Sequence, residues 1–414
     1  MLNLKKIRNI LISLFKKIDS RIIFLKKKEI NQKNVNAILV NSLYFIGDTI
    51  FHTPVFEILR LMFPDAKIDL WTKSRNLDIV KNNPVFNEII LFDNIKTADY
   101  NEVNKLDLIK KIKFVKNIRN KKYDLYIDLT GKYSTALIAL LGNFRYSSGI
   151  NYHGFGFCYN KYYDLNTSNK PGHLIDKYLS VVQNIFSINE QDWSNLRAKV
   201  QNRPYIYADV EIKKDFELFL EQNAYLKDKP LLLIHISAGW KAKELSAETI
   251  AGLSGSIINS GKYNLFLIGS ENDRAKLREI QKSFPEKNIE LEKYFLSRPL
   301  MFTVELIRYA DVLVGADSAP LHIAGALNTP TVALFGPTNP EFSKPRGESH
   351  EVIYNRLSCS ASDNEQFCTR DAGKSCATLD CMNAISIQLI YNKIEYLIPR
   401  KGKERISVRQ FEKA

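Results

Sequence analysis

Apolar positions along the chain follow two rhythms. Near the start, Leu4, Ile7, Leu11, Leu14, Ile18, Ile22 and Leu25 recur at three- and four-residue steps. That spacing predicts one face of an amphipathic helix. From Asn36 onward the pattern becomes short apolar runs alternating with turns and longer amphipathic stretches. Runs at 37–40, 68–71, 88–92 and 125–129 read as strands, with helices from Gly47-Asp48 to about residue 62 and over 103–119 and 173–185. A second series has strands at 231–236, 264–268, 312–314 and 331–335, with a helix over 247–259 and a short one after Ser318. Strands alternating with helices predict parallel sheets covered on both faces, with the strand-end loops gathered along one edge. The polar, interrupted stretch 189–229 reads as a linker. The expected organisation is therefore a helix over 1–33, a Rossmann-like domain over 34–188, a linker over 189–229, a second Rossmann-like domain over 230–398 and a charged tail over 399–414. This α/β pair is expected to face a central cleft.

Charge changes the picture at one end. The chain of 414 residues carries 59 Lys and Arg against 45 Asp and Glu, a net +14. Residues 1–33 hold ten of the cations against Asp19 and Glu29. Such an excess implies acidic partners: nucleic acid, anionic lipid or a phosphorylated substrate. Because it sits on one amphipathic helix and not in a groove interleaved with aromatics, nucleic acid is the reading it excludes. A helix of this kind either lies among anionic headgroups or packs on the protein's own body. No apolar run approaches the roughly 20 residues of a membrane span, and no signal peptide is read. Five cysteines in a chain this long, four of them between Cys359 and Cys381, do not make a secreted disulfide scaffold, so a cytoplasmic location is expected.

Candidate chemistry lies at predicted strand ends. In Asp317-Ser318-Ala319-Pro320, Ser318 suits an N-cap and Pro320 the first helical turn. A helix opening off a strand presents backbone N–H groups to an anion, with Asp317 and His322 beside the same mouth. The alternatives are an ordinary capped connection and a structural histidine. Asp48 sits where it could act as a general base, or could simply cap a helix. Lys243, with Lys241 as rival, could neutralise a phosphate. Glu271 and Asp273 follow Gly269-Ser270, where an acid can bond ribose hydroxyls or merely fill a helix's first turn.

Several ordered motifs then resemble glycosyltransferase family 9, the ADP-heptose–lipopolysaccharide heptosyltransferases. They are Ile46-Gly47-Asp48-Thr49 with Pro54, Leu59-Arg60 and Phe63-Pro64-Asp65-Ala66; Tyr123-Asp124 with Leu129 and Gly131; and His173-Leu174-Ile175-Asp176-Lys177-Tyr178. In the second half come Lys243 ahead of Leu245-Ser246, Ile268-Gly269-Ser270, Asp317-Ser318-Ala319-Pro320-Leu321-His322, and Leu334-Phe335-Gly336-Pro337-Thr338. The resemblance implies a GT-B fold, with the acceptor on the first domain and the nucleotide sugar on the second. It implies inverting transfer of heptose from ADP-heptose to a lipopolysaccharide core or related surface glycan, with no cofactor and no catalytic metal. On it, Asp48 is the base; Lys243, Gly269, Glu271, Asp317, Ser318, Ala319, Pro320 and His322 hold the donor; Arg60, Lys132 and His173 are acceptor candidates. It also favours an anionic membrane surface as partner, because such acceptors are lipid-linked, and hence a peripheral position on the inner face of the cytoplasmic membrane. Rival readings are a related transferase using another nucleotide sugar for capsule, O-antigen or protein glycosylation, and a nucleotide-sugar-binding scaffold. The chain departs from the family at Asn41-Ser42, where a basic residue is usual, at Leu245-Ser246 for Trp-Pro, and at Ala319 for Gly. Cys381-Met382-Asn383-Ala384-Ile385 matches the ending of a cysteine-rich segment in some members. Cys359, Cys368, Cys376 and Cys381 lack paired CxxC spacing, leaving a structural metal, a disulfide or independent packing open.

Overall fold

The computed structural model describes residues 30–92, 105–151, 154–164, 172–223, 226, 228–284, 286 and 288–398, with backbone alone at 105–111. The basic stretch up to residue 29 and the tail from 399 lie outside the described residues. The chain divides into two compact units, Met1–Asn169 with Ile175–Asn202 and Lys170–Leu174 with Arg203–Ala414.

The first unit is built on six parallel strands: β1 (Ala37–Asn41), β2 (Lys67–Thr72), β3 (Glu88–Leu91), β4 (Leu125–Asp128), β5 (Tyr146–Ile150) and β6 (Lys161–Tyr163). Their spatial order is β3-β2-β1-β4-β5-β6, the Rossmann order. In register, Ile38 lies beside Ile68 on one side and Leu125 on the other. Ile38, Leu39 and Val40 are all buried, because helices cover both faces and a parallel strand then has no polar side. Leu39, Trp71 and Tyr126 anchor one side of this core. The helix Ile46–Met62 contains Pro54, which cannot donate to the Ile50 carbonyl. The Thr53 hydroxyl donates to that carbonyl instead, at 2.8 Å, so the helix continues.

The second unit repeats the plan with β7 (Leu231–His235), β8 (Asn264–Ile268), β9 (Phe295–Leu296), β10 (Val312–Ala316), β11 (Thr331–Phe335) and β12 (His350–Tyr354), all parallel. The order β12-β11-β10-β7-β8-β9 is the first unit's order read from its own first strand. Leu232, Ile234, Val314, Val332 and Leu334 form the sheet side of the core. The helix Ala247–Ser260 is opened by the Ser246 side chain, which accepts from the Thr249 N–H, and is closed by Gly261 at φ 61°.

The expected linker, 189–229, is not open chain. It holds the helix Glu190–Arg197, capped by Asn189, in the first unit and the helix Val210–Gln222, capped by Asp209, in the second. Phe216 of the latter is buried edge-on against Phe302, 5.4 Å between ring centroids. Among the described residues no helix is long and apolar enough to cross a membrane.

Candidate active site

Each sheet has one place where the chain departs in opposite directions from adjacent strands: β1 and β4 in the first unit, β7 and β10 in the second. Loops leaving the carboxyl ends of such a pair diverge and open a crevice. Asp48 follows β1 and Lys132 follows β4; Lys243 follows β7 and Asp317 follows β10. These four candidates thus lie at the switch point of their own sheet.

In the first unit Asp48 is half-buried in the first turn of the helix Ile46–Met62. Phe45 occupies the N-cap position, so Asp48 is not the cap that its residue type also allowed. Lys132 donates to the Leu43 carbonyl at 3.1 Å and lies 4.3 Å over the Tyr44 ring, while Arg75 lies 5.1 Å over Phe45. Cations from two strand-end loops therefore rest on the loop that leads into Asp48. Burial, then the charge of Lys73, pulls the Lys132 ammonium down to about 8, against opposing pulls from Asp48 and Asp128.

Asp128 sets this loop, and sequence reasoning missed it. One carboxylate oxygen accepts from Asn41 Nδ2, Thr130 N and Thr130 Oγ1, each at 2.8 Å, and from Gly131 N at 3.2 Å. The other accepts from the Tyr159 hydroxyl at 2.7 Å. Gly131, at φ 62°, takes the left-handed turn that puts Lys132 beyond it. The Asn41 that replaces a basic residue is therefore part of the scaffold under the loop. Its neighbour Ser42 contacts His52 Nδ1 at 2.8 Å, and burial pushes that imidazole down to about 3, so it is neutral.

The second unit holds a denser arrangement. Lys243, itself buried, donates to Asp317 Oδ2 at 2.5 Å and to the Asp317 carbonyl at 3.1 Å, with its ammonium 3.8 Å over the Trp240 ring. Asp317 Oδ1 faces His322 Nε2 at 3.2 Å and accepts from Ser343 Oγ at 3.1 Å. Burial alone would raise this carboxyl's pKa; Lys243 and His322 outweigh it and hold Asp317 well below the usual carboxylate range. Pro320 lies at the start of the helix Ala319–Leu327, as its missing N–H favours. Ser318 occupies the N-cap position but its hydroxyl makes no capping bond. It donates to the Ala316 carbonyl at 3.0 Å and meets His235 Nδ1 at 3.1 Å. Burial lowers His235 to about 4, keeping it a neutral partner. His235, Trp240 and Ser343 were not foreseen; a polar or aromatic residue at or after a strand end, or a serine ending the short helix Pro340–Ser343, is too common to single them out.

After β8, Gly269 packs close to Asp273 and Phe295, with 3.1 Å from an added Cβ to the nearest atoms of each. Asp273 is a capping residue, accepting from Ser270 N at 2.6 Å and Ser270 Oγ at 2.7 Å. Glu271 is exposed and paired with Arg274 at 2.6 Å.

The sequence model described as glycosyltransferase family 9 (heptosyltransferase) matches residues 111–370. The chain belongs to glycosyltransferase family 9. It is 25% identical over 345 residues to lipopolysaccharide heptosyltransferase 3 of Escherichia coli, covering 79% of this chain and 89% of that protein. It is 24% identical over 322 residues to lipopolysaccharide heptosyltransferase 2 of Salmonella typhimurium, covering 76% and 87%. In structure it is similar to the family 9 glycosyl transferase of Veillonella parvula, with a TM-score of 0.72 and 20% identity over 90% of this chain and 99% of that one. It is likewise similar to the E. coli ADP-heptose lps heptosyltransferase II, with a TM-score of 0.68 and 20% identity over 88% and 99%. The fold is GT-B, and the protein is a glycosyltransferase. The family match takes in Lys132, Lys243, Asp317 and His322, while Asp48 lies ahead of it.

Two of the acceptor candidates, Arg60 and His173, meet main-chain carbonyls. The Arg60 guanidinium donates to the carbonyls of Phe63, Pro64, Ala66 and Val85 at 2.6–3.2 Å, tying the end of its helix to two loops. Its donors go to main chain because a helix end beside loop carbonyls offers a fork-shaped cation a ready set of acceptors. His173 groups with the second unit, where Nε2 meets the Lys344 carbonyl at 2.9 Å, and not with the unit that carries Asp48. The four clustered cysteines do converge: all are free thiols lining one cavity of about 240 Å³ beside Gly336-Pro337. Among the described residues no group of three or more His, Cys, Asp or Glu is arranged to hold a metal.

Proposed function

We propose that this glycosyltransferase transfers heptose from ADP-heptose, with inversion and without a metal, to a lipopolysaccharide core or related surface-glycan acceptor. The named relatives support the donor and acceptor class. In this reading Asp48 takes the proton of the acceptor hydroxyl as it attacks the anomeric carbon from the face opposite the nucleotide. The observation that carries the donor side is the buried Lys243–Asp317 pair at the β7/β10 switch point. An ammonium has three N–H donors, and Asp317 takes two of them. The third is available to a departing pyrophosphate, together with the N–H groups that open the helix Ala319–Leu327. His322 and Ser343 hold Asp317, so the lysine's position is fixed before the reaction starts. Glu271 is the ribose candidate and Lys132 the acceptor candidate. The basic stretch at 1–33 would add attraction to an anionic membrane at about 1 kcal/mol per cation near the surface.

Incubating the full-length protein and an acceptor with ADP-heptose and with UDP- and GDP-sugars tests this reading by product mass and anomeric configuration. Heptose addition from ADP-heptose, inverted and undiminished in EDTA, is expected. Transfer from a UDP- or GDP-sugar instead would establish the rival donor. Loss in EDTA restored by a divalent ion would contradict metal-independent transfer.

A further inference from the structure

The cysteine segment lies against the Lys243 turn, and its four thiols are not equivalent. Cys376 Sγ accepts a hydrogen bond from the Leu379 N–H at 3.4 Å, a geometry available because Leu379 takes the left-handed conformation at φ 52°. Main-chain donors at Leu379 and Thr378, with the charge of Arg370 nearby, draw the Cys376 thiol below its ordinary value. Cys381 differs: burial, then the neighbouring Cys368, Cys376 and Cys359, pushes it up. A half-buried thiol that accepts a main-chain hydrogen bond and lies in one cavity with three further thiols is placed to oxidise selectively and then resolve to a disulfide.

The same segment touches the donor loop. The Cys376 N–H donates to the Gly373 carbonyl at 3.1 Å. A Cβ at Gly373 would lie 2.6 Å from that of Ala242, so this turn is seated directly on the Lys241–Lys243 turn. Next to it, the Ala372 carbonyl accepts from Trp240 Nε1 at 3.1 Å, and the Trp240 ring carries the Lys243 ammonium. Asp371, Ala372 and Gly373 all have positive φ, so the turn holds one tight conformation. Displacing Cys376 therefore displaces the residues that hold Trp240.

We propose that Cys376 is an oxidation-sensitive thiol whose disulfide with another thiol of this cavity loosens the Trp240–Lys243 turn and weakens nucleotide binding. The oxidant is a peroxide. The Cys376 thiolate attacks one peroxide oxygen, the O–O bond breaks, and a sulfenic acid forms while the leaving hydroxide takes up the proton the thiol had given up and departs as water. A second cavity thiol then attacks that sulfur, the S–S bond forms, and a second water leaves. Two thiols lose two electrons and the peroxide gains them. A thiol reductant reverses the step. The effect on nucleotide rests on the reading of Lys243 as a donor-binding group; the thiol chemistry does not.

The test treats the full-length protein with hydrogen peroxide and follows intact mass, peptide mapping, hydrogen exchange and ADP binding. A disulfide containing Cys376, faster exchange over Trp240–Lys243, and about tenfold weaker ADP binding are expected, the scale of a lost cation–π contact and hydrogen bond. A reductant should restore all three, and Cys376→Ser should abolish all three while binding ADP normally. A disulfide that excludes Cys376, or exchange unchanged by the disulfide, would overturn the proposal. So would a metal ion bound stoichiometrically to these thiols in the purified protein. If exchange responds but reduced protein binds no ADP, the thiol device is supported and the donor reading of Lys243 fails.

Discussion

Asp48 and Asp317 each follow a strand at the switch point of a Rossmann-like sheet, and their surroundings are opposite. Asp317 is buried among Lys243, His322 and Ser343, and is held ionised well below the ordinary carboxylate range. Asp48 is half-buried on an opening helical turn, with Lys132 felt through its charge. The comparison teaches that topology places a carboxylate but burial and partners assign its work. A carboxylate locked in its ionised form positions a cation. One that reaches solvent can take a proton from a substrate.

Removing each carboxylate should separate the two by stability. Asp317→Ala leaves Lys243 buried and uncompensated, so it should cost about 3–5 kcal/mol. Asp48→Ala, at a half-buried position on an opening helical turn, should cost less, about 1 kcal/mol. Denaturant unfolding of both variants checks the contrast, and equal losses would erase it.

Acid should weaken the second unit more than the first. His52 in the first unit and His235 and His350 in the second are kept neutral by burial, at about 3, about 4 and about 4. Each folded value is depressed below the 6.5 of the unfolded chain. Their stabilisation is therefore complete above about pH 6.5 and drains as pH falls toward about 4, each histidine contributing on the order of 3 kcal/mol. Asp317, held below the usual carboxylate range, adds a further loss at lower pH, below its own unfolded value. Stability measured from pH 8 to pH 5 should fall with a slope that His235→Gln makes shallower; a slope unchanged in that variant would count against a neutral buried His235.

The main-chain bonds of Arg60 predict that Arg60→Ala loses about 2–3 kcal/mol of stability, with the acceptor KM unchanged if bracing is its work. A raised KM in an equally stable variant would place Arg60 at the acceptor site. A smaller effect concerns Lys132. Acceptor KM should rise a few-fold as pH passes about 8 and the ammonium loses its proton. Lys132→Arg, which stays charged, should flatten that rise.

The sequence was most readable where one physical signal dominated. Runs such as Leu231–His235 and Thr331–Phe335 announce themselves because a buried parallel strand has no polar face. Tyr146–Ile150, reading Tyr-Ser-Ser-Gly-Ile, gave no such signal, since its burial comes from packing that only the fold creates, and Lys161–Tyr163 gave none because it is a three-residue edge strand that is only partly buried. The helix Val210–Gln222 looked like linker because its buried contact rests largely on one residue, Phe216. At the site, Asp48, Lys243, Asp317 and His322 were found through strand-end position and motif order. Asp128 and His235 were not, because their importance lies in hydrogen bonds reaching across 31 and 83 residues of chain.

The division of labour between the two carboxylates is tested most directly by Asp48→Asn, read by ADP affinity and turnover in the same preparation. The account predicts ADP binding and folding close to those of the native protein, with turnover lower by roughly 100-fold or more, as removal of a general base requires. Near-native turnover in the folded variant would contradict it.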